Sequence, residues 1–324
     1  MENILEIASL DVRFEQPQGQ LRALRGIDLE VKKGEVLCIV GESGCGKSVL
    51  CKTIADVLCK EGIEHAGTIT YDGIDLLAMP EKKRRRLCAK DMALVLQDPH
   101  TALDPRMKIG RQLDEVLKKY EKKLSRKERT QKLIEMLEQV EIDHPSQRME
   151  QYPYMLSGGM KQRIVIAQAL LKRPRILLAD EPTAALDPSV SKVVLDLLKK
   201  INTRHHITII LVVHDLAAAY HYAHRVAVMY AGKVVEYGTK EDVFETPLHP
   251  YTKALLRSLP GLNKANRRLE TIEGSAPLIY EDIRYDAFAC RNKEADPRDF
   301  VEQASMSQFT KSHFAAVRRG NEDV

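Results

Sequence analysis

The octapeptide Gly41-Glu-Ser-Gly-Cys-Gly-Lys-Ser48 places three glycines, a lysine and two serine hydroxyls in one short stretch. Glycine lets the backbone curl until successive N–H groups converge, and such a nest attracts an oxyanion. Lys47 adds a point charge that reaches a phosphate, and the Ser48 hydroxyl is a hard oxygen ligand for a divalent cation. The spacing G-x-x-x-x-G-K-S therefore predicts a triphosphate site lined by Gly41, Glu42, Ser43, Gly44, Cys45, Gly46, Lys47, Ser48 and Val49. Cys45 fits there because its side chain is small, and its oxidation is expected to hinder nucleotide binding. A second constellation is Asp180-Glu181, which directly follows the apolar run Ile176–Ala179. A carboxylate at a strand end can hold Mg²⁺ through its waters, and the next one, pointing the other way at strand spacing, can take a proton from an attacking water. A third is Leu156-Ser-Gly-Gly-Met-Lys-Gln-Arg163, where Ser157 stands at an N-cap position and Gly158 and Gly159 let a phosphate approach the first N–H groups of a helix. Each has a bland counterpart: a glycine turn, a solvated acidic pair, a capped helix. Their co-occurrence in one chain separates the readings.

These residues need strands and helices to hold them. Val36–Val40 is a short apolar run ending at Gly41, and the apolar spacing from Lys47 to Leu58 is helical. Ile176–Ala179 and Ile207–Val213 read as further buried strands, with a helix from about Ser189 to Asn202 between them. The pattern predicts an α/β fold with a mostly parallel sheet. Val226–Tyr230 and Lys233–Tyr237, joined by Ala231-Gly232, read as a terminal hairpin. Residues 100 to 157 are charged and helical, as in Leu113–Tyr120 and Arg126–Val140, and read as a helical insertion. Beyond residue 240, Pro247, Pro250, Pro260 and Pro277 mark a smaller, less regular appendage.

Composition narrows the function classes. The 324 residues are 44% hydrophobic and 30% charged, as in a folded soluble protein. No run approaches the roughly 18 apolar residues of a membrane span. The first ten residues carry two glutamates and no basic cluster, so a secretory signal is not expected. Net charge is +4, and the basic run Lys82–Arg86 reads as a solvated helix face rather than a nucleic-acid patch. The six cysteines, Cys38, Cys45, Cys51, Cys59, Cys88 and Cys290, form no C-x-x-C pair and read as reduced thiols of a cytosolic protein.

The order of the motifs carries a resemblance. Leu156-Ser-Gly-Gly-x-x-Gln-Arg163 between the glycine loop and Asp180-Glu181 resembles the ATP-binding-cassette (ABC) ATPases, over about residues 4 to 240. The resemblance implies a P-loop NTPase cassette that binds ATP and Mg²⁺ and hydrolyses ATP. It implies that Gln97, Glu181 and His214 serve catalysis and that Ser48, Gln97 and Asp180 attend the Mg²⁺. Gln97 would also sense a transmembrane partner, and Phe14 would stack on adenine. Cassettes of this family pair head to tail, so Ser157, Gly158 and Gly159 would serve a nucleotide held mainly by the partner; Ala185-Leu-Asp187 resembles the family's D-loop, and Asp187 would join the nucleotide site.

Finer motifs point to one branch. Gln97-Asp-Pro-His-Thr-Ala-Leu-Asp-Pro105, the helix from Leu156 to Leu170, and His249-Pro-Tyr-Thr-Lys-Ala-Leu-Leu256 resemble the oligopeptide/dipeptide/nickel importer subfamily. Glu273–Pro277 is similar to the start of its C-terminal extension. The implied organisation is an ATPase domain at 1–240, with a helical subdomain at about 100–160, and an extension at 241–324. The implied task is to drive uptake of oligopeptides or dipeptides. Nickel or a metal chelate is the alternative cargo; an exporter ATPase and a soluble non-transport ABC ATPase are further alternatives. Implied partners are two permease subunits, a second ATPase subunit, identical or homologous, and, indirectly, an extracellular binding protein, with no nucleic acid. The implied location is the cytoplasmic face of the membrane. The extension departs from the family where four cysteines are common: only Cys290 stands there, with Asp286 and Asn292 at positions where cysteines would be expected. One thiol cannot hold a cluster that needs about four ligands, so no iron–sulfur centre is expected. Ala184 replaces the commoner Ser or Thr before Ala185-Leu-Asp187.

Overall fold

The computed structural model describes residues 2–17, 19–58, 62–258, 271–277 and 283–318. Cys59 and Pro260, singled out above, lie outside the described residues. The chain divides into two compact units: residues up to Met79 together with those from Val212 onward, and Pro80–Leu211.

The first unit opens with β1 (Asn3–Gln16) and β2 (Gly19–Lys32), followed by β3 (Val36–Val40), α1 (Lys47–Ile54), β4 (Ile63–Tyr71) and the short β5 (Ile74–Asp75). β2, β1, β4 and β5 form an antiparallel sheet in that order. β1 explains why alternation alone did not reveal it. Leu5 and Ile7 are buried at odd positions, Leu10 and Val12 at even ones. The phase slips where Ser9 takes a positive φ of 48° and the pairing register shifts. Such a bulge returns the apolar side chains to the buried face. α1 ends at Ile54, short of the expected Leu58, because Asp56 turns left-handed (φ 53°) and Val57 faces solvent.

The second unit holds α2 (Glu81–Asp91), β6 (Met92–Val95), α3 (Pro99–Ala102), α4 (Ile109–Tyr120), α5 (Arg126–Gln139), α6 (Pro145–Met149), α7 (Gly158–Leu170), β7 (Ile176–Asp180), α8 (Pro188–His205) and β8 (Thr208–Val212). β8, β7 and β6 lie side by side in that order, and β6 and β7 are parallel, with Val95 opposite Ala179. Every residue of β7 and β8 is buried, as a strand covered on both faces requires. The expected charged helices are α4 and α5; Ser125 and Glu128 cap α5 reciprocally. The basic run lies on α2 with Lys82, Lys83, Arg85 and Arg86 exposed.

The chain then completes the first unit with α9 (Leu216–Tyr222), β9 (Arg225–Tyr230), β10 (Lys233–Thr239), α10 (Lys240–Glu245), α11 (Pro250–Arg257), β11 (Ser307–Gln308) and β12 (Phe314–Ala315). β9 is parallel to β3, with Val40 opposite Val228, and antiparallel to β10. Ala231 (φ 44°) and Gly232 (φ 82°) make the tight turn between β9 and β10. The hairpin is not terminal: β12 pairs with the far edge of β10 and β11 with β12. Among the described residues no helix is long and apolar enough to cross a membrane.

Candidate nucleotide site

In the first unit the glycine loop leaves the buried strand β3 and enters α1, the context its spacing demanded. Gly41 sits so close to β9 that a Cβ would lie 2.1 Å from the Met229 carbonyl oxygen. Gly46 precedes α1 with φ 105°, and a Cβ there would lie 2.8 Å from the Ala23 carbonyl. Both positions exclude a side chain, by contact and by backbone conformation. Ser43 and Gly44 form the exposed tip, while Cys45 is buried. The Lys47 ammonium, itself buried, donates to the carbonyls of Gly41 (2.8 Å) and Glu42 (2.9 Å). It is thus held across the curl of the loop, where a phosphate chain would lie. Cys45 O accepts the Gly232 N–H at 3.0 Å, which ties the loop to the turn after β9. Burial pushes the Cys45 thiol up.

His214, just past the end of β8, belongs to the first unit. The Val213 N–H donates to Ile39 O at 3.2 Å, so this exposed histidine leaves the sheet at the edge from which the loop leaves. Phe14 is half-buried on β1, opposite Leu21 and Ile63, an aromatic face on the antiparallel sheet.

Aromatic residues unmarked by sequence reasoning stand behind the loop. Tyr230, Tyr251 and Phe288 are buried together, with ring centroids 4.5 to 5.5 Å apart. The Tyr251 hydroxyl accepts the Glu42 N–H at 3.0 Å. Arg291 Nη1 donates to both Glu42 carboxylate oxygens, at 2.9 and 3.0 Å. Tyr251 lies in the His249-Pro-Tyr segment that carried the family resemblance, which gave it no role. Arg291 and Glu42 are 249 positions apart, and no spacing rule connects them.

The second unit holds the carboxylates. Because β6 and β7 are parallel neighbours in register, Gln97, two residues beyond β6, and Asp180, the last of β7, emerge from one edge. Asp180 is buried and Gln97 exposed. Strand alternation does not carry Glu181: β7 ends at Asp180, and Glu181 takes a left-handed φ of 49°. The backbone turns at Glu181 instead of continuing the strand. A non-glycine residue in that region costs about 1–2 kcal/mol, and such residues concentrate at functional sites.

Ser157 caps α7, its hydroxyl accepting the Met160 N–H at 3.3 Å. Gly158 is half-buried and faces Leu186, with a hypothetical Cβ 3.3 Å from its Cδ2; at Gly159 a Cβ would lie 2.4 Å from Val190 Cγ1. These glycines therefore keep α7 close to α8 and also leave the start of α7 bare. Asp187 caps α8 through Oδ1, which accepts from the N–H groups of Ser189 (3.1 Å) and Val190 (3.0 Å). Hydrogen bonding, led by the Ser189 hydroxyl, holds its carboxyl below the usual range.

The ABC transporter family profile matches residues 24–184, and that of the oligopeptide/dipeptide transporter C-terminal region matches residues 235–293. Curated relatives match nearly end to end. The dipeptide transport ATP-binding protein DppD of Lactococcus lactis is 39% identical over 97% of this chain and 90% of its own. The oligopeptide transport ATP-binding protein AmiE of Streptococcus pneumoniae is 43% identical over 99% and 90%. This chain belongs to the ABC transporter ATP-binding proteins. Among solved structures, the ATP-binding cassette MJ0796, a post-hydrolysis dimer bound to ADP and Pi, superposes with a TM-score of 0.65 at 26% identity, over 73% of this chain and 98% of that one. CbiO1 of Clostridium perfringens, part of the ABC transporter complex cbiONQ, gives 0.65 at 28% identity, over 76% and 92%. As an ABC ATPase the chain binds and hydrolyses ATP, and the glycine loop, the acidic pair and the Ser-Gly-Gly helix lie in the span of that family.

Proposed function

We propose that this ABC ATPase drives uptake of oligopeptides or dipeptides through separate permease subunits. The observation that carries the reading is the closed curl of the glycine loop around Lys47, on a chain that also matches the peptide-transporter C-terminal region. Its relatives are named for dipeptide and oligopeptide transport, which favours peptides over nickel.

The roles follow from chemistry. The loop N–H groups and Lys47 bind the β- and γ-phosphates, and Phe14 stacks on adenine. Ser48, Gln97 and Asp180 offer a hydroxyl, an amide oxygen and a carboxylate, the hard oxygen set that suits Mg²⁺. Among the described residues no three His, Cys, Asp or Glu side chains are grouped to cage a metal. That fits an ion that keeps several waters and is bound by few protein oxygens and by phosphate. Bound there, Mg²⁺ neutralises charge on the phosphates. Glu181 takes the proton of the attacking water, and His214 contacts the γ-phosphate. Ser157, Gly158 and Gly159 serve a nucleotide held by a second cassette, and Asp187 joins the nucleotide site. ATP closes that pair by binding the closed state more tightly, and hydrolysis reopens it. The ATPase domain spans 1–240, with the helical subdomain at about 100–160 and the extension at 241–324. The assembly lies on the cytoplasmic face, with two permeases and an extracellular binding protein.

The test is a pull-down of tagged Glu181→Gln protein with ATP from detergent-solubilised native membranes, identified by mass spectrometry. Two polytopic permeases and a second cassette are the expected companions. Ribosomal or DNA-repair proteins without a permease would refute the transport reading and leave the ATPase standing.

A further inference from the structure

Glu42 is the second residue of the phosphate loop, and it is pinned at three points. Its N–H donates to the Tyr251 hydroxyl at 3.0 Å, its carbonyl accepts from Lys47 at 2.9 Å, and its carboxylate accepts from Arg291 at 2.9 and 3.0 Å. A carboxylate in that position is chemically awkward. Its charge has the same sign as the triphosphate the loop must receive, and like charges at close range repel. Arg291 answers that charge. Its side chain is 6% exposed, against 28% for Glu42, so the pair is screened less than a surface pair. The guanidinium is also fixed from behind: Nη1 donates to the Tyr230 hydroxyl at 3.0 Å, and Nε to the Glu273 carbonyl at 2.9 Å. Tyr230 and Phe288 flank it, with ring centroids 5.7 and 6.0 Å from its central carbon. A guanidinium so held does not swing away when the loop fills.

We infer that Arg291, from the C-terminal segment, is a positioning residue for ATP: it cancels the Glu42 charge, holds the loop for the triphosphate, and makes nucleotide affinity depend on the docked extension. The inference rests on the phosphate-loop assignment made above. It gives the C-terminal region a task in the nucleotide site of its own chain.

The test measures the affinity of the full-length protein for a fluorescent ATP analogue, together with KM and kcat for ATP. Arg291→Met is expected to weaken binding by about tenfold and to raise KM with kcat little changed, a shift typical of coupled neighbouring residues. Arg291→Lys keeps the charge without the fork and is expected to lose only about threefold. The decisive variant is Glu42→Gln/Arg291→Met. With the carboxylate gone there is no charge left to cancel, so affinity returns toward the wild-type value. Lys293→Met breaks the exposed pair with Glu273 in the same segment and leaves affinity unchanged. Lys47→Ala reports on the loop assignment itself. If it binds as well as wild type, that assignment fails and the inference falls with it. If Lys47→Ala loses binding while Arg291→Met keeps it, the loop stands and the role of Arg291 is refuted. A double variant as weak as Arg291→Met, or one whose thermal midpoint falls in step with affinity, would show that Arg291 only supports the fold.

Discussion

Cys290 is exposed, whereas Cys38 in β3 and Cys45 in the phosphate loop are buried. Burial pushes the Cys38 thiol up to about 12 and raises that of Cys45. Since the thiolate is the nucleophile, Cys290 should be alkylated by iodoacetamide at pH 8 well before Cys45, and Cys38 last. Peptide mass spectrometry over time checks the order, and early labelling of Cys38 would mean that β3 opens readily. Glu181 invites a test of stored strain. Glu181→Gln should lower turnover by about 10²–10⁴-fold with the fold intact. Glu181→Gly should lower turnover at least as far but raise stability by about 1 kcal/mol, because glycine accepts φ 49° without penalty. Denaturant unfolding of the two variants measures the difference, and a glycine variant no more stable than the glutamine one would place the strain elsewhere. The loop and the acidic pair were legible because each is a short, contiguous spacing. Tyr251 and Arg291 were not, because they reach Glu42 across 209 and 249 positions by contacts that leave no periodic trace.

At the scale of elements, the packing of α7 on α8 is set by Gly159. Gly159→Ala would place a methyl 2.4 Å from Val190 Cγ1 and should cost about 1–3 kcal/mol. Adding Val190→Ala should restore most of that loss, and a double variant no more stable than the single one would show that the glycine is needed for another reason. Helix α11 carries a titratable cap: His249 Nδ1 accepts the Tyr251 N–H at 3.1 Å. Burial holds this imidazole below its usual pKa, against the pull of Asp286, Glu236 and Asp299, while Lys253 pushes the same way as burial. The unfolded chain takes up a proton near pH 6.5 that the folded chain refuses. The cap's contribution is therefore fully present above about pH 6.5 and is lost as pH falls below it. His249→Asn, which can still cap, should unfold with a shallower dependence on acid between pH 7 and 5; an unchanged slope would clear His249. Apolar runs such as Val36–Val40 and Ile176–Ala179 announced their strands, since a strand covered on both faces must be apolar throughout. β1 stayed hidden because its alternation breaks phase at Ser9.

At the scale of the whole chain, the C-terminal segment is woven into the first unit. β12 extends the sheet at β10, and His313 bonds the fully buried Glu236 at 2.7 Å. A chain cut after Arg257 would leave that carboxylate with only the N–H groups of Leu248 and His249, and losing one such hydrogen bond costs about 1.5–3 kcal/mol. The truncated protein should unfold about 3–6 °C lower or aggregate on expression. An unchanged midpoint would show that the segment adds nothing to the stability of the first unit. The same connectivity sets a timetable for synthesis. β3, apolar at all five positions, leaves the ribosome about 185 residues before its parallel partner β9, and at about 5–20 residues per second that is a wait of roughly 10–40 s. With its β9 edge open, this uncharged strand is a template for other chains throughout that interval. Nascent chains of this ATPase are therefore expected clients of ribosome-associated chaperones, and slow translation between Val40 and Arg225 would lengthen their exposure.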